Sequence, residues 1–159
     1  MELWRRIVLS LMYRFIAPEF DGMMTPAKCT FLYRTVIQHV GRGAIVELGC
    51  HKGCSASWLA LAGIRSNKEH LWAIDTFTGT PSWGEVLDTF EEFHHRMRAN
   101  RFQRFVTPVR ASTTEAAKQW RRAIQILHID ADHEYAAVSA DIRNWILPFL
   151  EDGGIVIFD

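Results

Sequence analysis

Short apolar runs alternate with segments of helical periodicity along most of this chain. Runs near 44–49, 70–75, 104–109, 124–130 and 154–159 have the length and β-branched character of strands. Helical patterns fall between them, near 54–65, 84–99, 113–122 and 133–147. This alternation predicts βαβ crossovers and a parallel sheet covered by helices on both faces. Ile124 to Ile129 and Ile155 to Phe158 are nearly uninterrupted apolar runs, as strands buried on both faces should be. Pro108 interrupts the third run, and its missing N–H predicts a strand at the sheet edge.

Helix boundaries carry their own signals. Thr25-Pro26 opens a helix running to about Val40, with Thr as N-cap and Pro at the first position, and Gly41-Arg42-Gly43 ends it. Ser112-Thr113-Thr114-Glu115 is a capping box. Val138, Ile142, Trp145 and Phe149 recur at helical spacing and predict one buried face. Leu3 to Arg14 predicts a further helix that caps the domain or packs on a second subunit, followed by a break from Pro18 to Gly22. The expected organisation is a single domain, 1–159, with a helical cap over 1–40 and an α/β core over 41–159.

With 159 residues, one domain is the natural expectation. The formal net charge is zero, so no global field gathers nucleic acid or an anionic membrane. Arg96, Arg98, Arg101 and Arg104 form a basic cluster that reads as a solvated helix end more readily than as an anion site. Three cysteines, Cys29, Cys50 and Cys54, give no disulfide framework, and the odd count fits a reducing, cytoplasmic setting. The apolar part of the N-terminal segment is too short for a membrane span and is interrupted by Arg14, against a signal peptide.

Chemistry concentrates where the strands end. The first run leads into Glu47-Leu48-Gly49-Cys50-His51-Lys52-Gly53, a strand, a glycine turn and a helix start. A dinucleotide fingerprint would need glycine where His51 and Cys54 stand, and Lys52-Gly53-Cys54 does not close a Walker A loop. Glu47 at the strand end suits a cationic or hydroxyl-rich ligand better than a pyrophosphate. In open α/β sheets ligands bind beyond the carboxyl ends of the strands. Those ends here carry Glu47 and Gly49, Asp75, Ser112, Asp130 and Asp159. Asp75 stands at the distance from the glycine turn at which a ribose-binding acid occurs, or it caps the following loop. Ser112 meets an adenine edge or only caps its helix. Trp83 covers the ligand or packs. Asp130, Asp132 and His133 can bind a divalent cation and take a proton from a hydroxyl; alternatively Asp132 is an N-cap and His133 an exposed first-turn residue. His128, inside its strand, reads as a hydrogen-bonded core histidine.

Together these residues resemble a class I S-adenosylmethionine-dependent methyltransferase over roughly residues 26 to 159. The segments His128-Ile129-Asp130-Ala131-Asp132-His133-Glu134-Tyr135 and Leu150 to Asp159 are similar to metal-dependent O-methyltransferases of sugar or phenolic hydroxyls, macrolide and aminocoumarin sugar types among them. The resemblance implies a Rossmann-like doubly wound sheet. It implies that Glu47, Gly49 and Gly53 hold the methionine and ribose parts of the cofactor, with Asp75 on the ribose hydroxyls and Ser112 by the adenine. Asp130 and Asp159 would ligate Mg²⁺, and the base is matched by Asp132 or His133, with His133 preferred. The family's sheet continues past its fifth strand, so a sheet truncated after that strand is expected, with Ile155 to Phe158 as an exposed edge. Two functions follow: an O-methyltransferase acting on a small-molecule hydroxyl, or a non-catalytic or truncated methyltransferase-like binding or assembly module. The apolar N-terminal helix and the fifth strand are the surfaces through which a homo-oligomer is expected. An NAD-dependent oxidoreductase is disfavoured by the glycine spacing.

Overall fold

A computed structural model describes residues 24–39, 43–66, 70–79, 84 and 87–159. The expectations for Leu3 to Arg14, for the break at Pro18 to Gly22 and for Trp83 lie outside these residues.

Five parallel strands form the sheet: β1 (Ala44–Leu48), β2 (Leu71–Asp75), β3 (Val106–Arg110), β4 (Ile124–Ile129) and β5 (Leu150–Phe158). Their order is β3-β2-β1-β4-β5, so the chain reverses direction across the sheet between β1 and β4. This is the Rossmann-like doubly wound α/β fold expected from the alternation of runs. β3 lies at an edge, where Pro108 opposite Ala73 leaves no inner strand short of a donor. Among the described residues β5 is the outer strand on the other side, with Phe158 half-exposed.

Helix α1 (Pro26–Gln38) begins as its sequence predicts, with Thr25 Oγ1 accepting the Lys28 N–H at 3.2 Å. Helices α2 (Cys54–Arg65) and α3 (Phe90–Ala99) cover one face with α1, burying Trp58, Leu59, Phe93 and Met97. Helix α4 (Thr113–Gln119) and helix α5 (Tyr135–Asp141) cover the other, where Trp120 and Trp145 pack over β1 and β4. The crossovers before the reversal thus fall on one face and those after it on the other. The first ten residues of α2, from Cys54 to Gly63, are all buried, because the helix lies between the sheet and α1. Tyr33 of α1 meets Trp58 edge to face, with ring centroids 6.3 Å apart.

Three boundaries depart from the sequence pattern. The helix expected from 84 starts at Phe90. β5 starts at Leu150 and reaches its apolar run through a bulge: Ile124 pairs with Leu150 but Ile126 with Ile155, and Gly153 turns there with φ of 78°. The helix expected over 133–147 begins at Tyr135 and widens into a π-turn, Ile142–Ile146, whose Leu147 N–H reaches back to the Ile142 carbonyl. That i→i+5 bond shifts the helical register. Ile142, expected on the buried face, is 36% exposed, whereas Asp141 is 1% exposed.

Candidate functional site

The reversal between β1 and β4 opens a cavity of about 870 Å³ at the carboxyl ends of the strands. That is within the roughly 300–1,000 Å³ usual for a cofactor or substrate site. Gly49, Asp75, Ser112, Asp130, Asp132, His133 and Asp159 all line it. The structure therefore gathers seven of the nine sequence candidates into one space.

The glycine loop is shaped by its neighbours. Gly49 has φ of 83°, and a Cβ there would lie 2.1 Å from the Asp130 carbonyl oxygen. The missing side chain lets the loop close on the turn after β4, which joins the two halves of the site. Gly53, φ 84°, is the N-cap of α2, with no side-chain hydrogen bond at the cap; its Cβ would meet Phe93 and Met97. Gly53 thus lies outside the cavity's lining, while Cys54 and Ser55 of the helix's first turn lie on it. From below, Arg96 Nε donates to the Lys52 carbonyl at 2.9 Å, and Lys52 Nζ pairs with Glu92. Arg96, read from sequence as part of a solvated cluster, is a strut of this loop.

Asp75 ties the loop to β2. Its Oδ2 accepts the N–H groups of Cys50 and His51, and its Oδ1 accepts that of Phe77, each at 2.7 Å. A carboxylate offers about four acceptor positions, so one direction remains for a ligand hydroxyl. The bonds are those of a loop cap, and the same residue lines the cavity.

Glu47 lies beneath the loop, fully buried and off the lining. Its Oε1 is 2.9 Å from His128 Nδ1, and its Oε2 has no hydrogen-bond partner among the described residues. Burial disfavours charge on His128, but the hydrogen bond and charge of Glu47 outweigh it and hold the imidazole above its ordinary pKa. His128 is the hydrogen-bonded core histidine its place in the strand predicts.

Ser112 caps α4 by accepting the Glu115 N–H at 3.2 Å, and its hydroxyl donates to Glu115 Oε2 at 3.0 Å. Behind it the Thr113 carbonyl accepts from Trp145 Nε1 at 3.1 Å. Asp132 accepts the Glu134 N–H at 3.0 Å, so Asp132 and His133 form a turn ahead of α5 and neither caps it. Burial pushes Asp130 up to about 6; Asp159 and Glu47 add to this, against His128 and His133. His133 Nε2 is 3.7 Å from Asp130 Oδ1. An acid and an imidazole at this spacing, both facing one cavity, are suited to receive a proton near neutral pH.

Asp159 is engaged by a residue that carried no sequence signal, since a lysine on a helix is ordinarily solvated. Lys28, in the first turn of α1, donates to Asp159 Oδ2 at 2.7 Å and lines the cavity. Among the described residues no group of three His, Cys, Asp or Glu side chains is arranged to hold a metal ion. Asp130 and Asp159 are two carboxylates, and Asp159 is already paired with Lys28, so the Mg²⁺ expected of them has no support here. Nor is any described helix long and apolar enough to cross a membrane.

Known proteins agree with this architecture. The solved structure of the O-methyltransferase NovP aligns with a TM-score of 0.78 at 16% identity, over 97% of this chain and 83% of that one. The methyltransferase PaMTH1 of Podospora anserina, bound to S-adenosylhomocysteine, gives 0.70 at 16%, over 95% and 61%. The calicheamicin methyltransferase CalS11 gives 0.64 at 21%, over 84% and 62%. At these identities the likeness is one of fold. The uncharacterized protein y4gI of Sinorhizobium fredii (strain NBRC 101917 / NGR234) is 34% identical over 121 residues, 72% of this chain. The chain spans 12% of the length of that relative. The family model described as a methyltransferase domain matches residues 46–159. From its glycine loop to its fifth strand, the chain belongs to the methyltransferase domain family.

Proposed function

We propose that this domain binds S-adenosylmethionine in the cavity between β1 and β4 and transfers its methyl group to a hydroxyl of a small molecule, a sugar or a phenol. The observation that carries this reading is the convergence of a glycine loop, Asp75 and Ser112 with Asp130 and His133 on one cavity. The residues fit such a cofactor. The N-terminus of α2, with no side-chain cap, suits a carboxylate, because helix N–H groups and the helix dipole favour negative charge. Asp75 keeps one acceptor direction for a ribose hydroxyl, and Ser112 and Thr113 border the space left for a base. When bound, the cofactor supplies an electrophilic methyl group on a positively charged sulfur.

The chain's own residues do the rest. The loop from Gly49 to Gly53, fixed by Asp75 and Arg96, presents backbone to the ligand in one conformation. Fixed geometry of this kind is worth up to about 7–11 kcal/mol when it holds reactants in line. His133, with Asp130 beside it, would take the acceptor's hydroxyl proton as the oxygen bonds to the methyl carbon and the carbon–sulfur bond breaks to leave the neutral thioether, with Asp132 turning the segment that carries His133. General-base help contributes roughly 10²–10⁴-fold. A cytoplasmic setting accords with the free cysteines Cys29, Cys50 and Cys54.

The reaction is tested by incubating the chain with methyl-labelled S-adenosylmethionine and a panel of phenols and sugars. Label is expected in an acceptor, with His133→Ala slower by roughly 10²–10⁴-fold. A folded chain that binds the cofactor yet labels no acceptor would leave the non-catalytic binding module as the correct reading.

A further inference from the structure

The acidic edge of the cavity contains its own cation. Asp130 and Asp159 both line it, and the Asp159 charge disfavours charge on Asp130. A divalent metal bridging such a pair would need open oxygen lone pairs and near-octahedral space. Instead Lys28 Nζ lies within ion-pair distance of both Asp159 oxygens, and the Lys28 charge is felt at Asp130 as well. α1 fixes its position: Thr25 caps the turn from which Lys28 projects, and Cys29 and Leu32, one and four residues further on, are buried against the core. Lys28 also lines a second, smaller cavity of about 230 Å³ between α1 and the end of β5, which shares Met24, Lys28 and Asp159 with the first. The ammonium thus sits where the two spaces meet.

We propose that Lys28 is the resident cation of this site, neutralising the Asp130–Asp159 pair in place of a divalent metal and presenting its remaining N–H donor to an oxygen of the acceptor. An ammonium has three donors; the two Asp159 oxygens take two, which leaves one for a ligand in the cavities that Lys28 lines. The role toward the acceptor rests on the methyltransferase reading; the exclusion of a metal does not. A divalent ion reaching these carboxylates must first displace the ammonium and then bear its repulsion.

Titration of the whole chain with Mn²⁺, followed by the resonance signal of the free ion, tests this without an acceptor. The wild-type chain is expected to leave Mn²⁺ free at concentrations where Lys28→Met binds it, a difference of about tenfold or more in Kd. Lys28→Arg, which keeps the charge, is expected to match the wild type. Thermal melts of all three establish that they are folded. Tight Mn²⁺ binding by the wild-type chain, or equally weak binding by wild type and Lys28→Met, would overturn the proposal. S-adenosylhomocysteine titrated into the same samples separates the two ideas. Its failure to bind refutes the cofactor reading and leaves the Mn²⁺ result standing.

Discussion

Replacing Asp75 by alanine removes one carboxylate and leaves three backbone donors without an acceptor. The bonds from Cys50, His51 and Phe77 are all 2.7 Å long. Hydrogen bonds to a charged group contribute about 1.5–3 kcal/mol each, so a simple sum sets a ceiling of about 4.5–9 kcal/mol. Neither additivity nor full burial holds here. The three bonds share one side chain, and water can reach a half-buried site. A loss of about 2–4 kcal/mol is the expected result, and for a domain of this size that lowers Tm by roughly 4–16 °C. Asp75→Asn keeps the shape but offers one acceptor oxygen in place of two, so it should lose about half as much. The assay is a pair of thermal and urea melts on wild type, Asp75→Asn and Asp75→Ala. Melting of Asp75→Ala within about 1 °C of wild type would refute the view that this carboxylate holds the loop.

Gly49→Ala is expected to cost about 2–5 kcal/mol in urea unfolding, from left-handed strain plus overpacking. The new Cβ meets the Asp130 and Ala131 backbone at 2.1–2.6 Å, which no side-chain motion relieves; an unchanged midpoint contradicts this. Asp141 gives a pH dependence. Burial raises its carboxyl above the ordinary value, a hydrogen bond from Thr113 opposes this and the charge of Asp132 adds to it. A raised acid binds its proton more tightly in the folded state, so the stability it contributes in acid is lost as pH climbs through the folded pKa. Asp141→Asn should flatten stability against pH above the ordinary carboxyl range, and an equal slope in the variant counts against it.

The elements were legible because periodicity and turn chemistry are local. Pro108 alone placed β3 at an edge, and His128 inside its strand announced a hydrogen-bonded core histidine, though not that its partner would be Glu47. The departures come from interactions the sequence does not display. The π-turn at Ile142–Ile146 puts Asp141 inside and Ile142 outside, against a pattern that read as an ordinary helix. Asp75 carries a ligand-type spacing, yet most of its capacity is taken by backbone donors across the loop. Lys28 lies 131 residues from Asp159 in sequence, and no local signal announces their pairing. Arg96 likewise reads as a solvated charge until α3 is folded against the glycine loop.

The central claim is that the cavity at the β1–β4 reversal holds an S-adenosyl cofactor. Calorimetric titration of the folded chain with S-adenosylhomocysteine tests it most directly. One site of micromolar affinity is expected, weakened by Asp75→Ala and by Gly49→Val. Absence of binding to a chain shown by its melt to be folded, or binding indifferent to both substitutions, would contradict it.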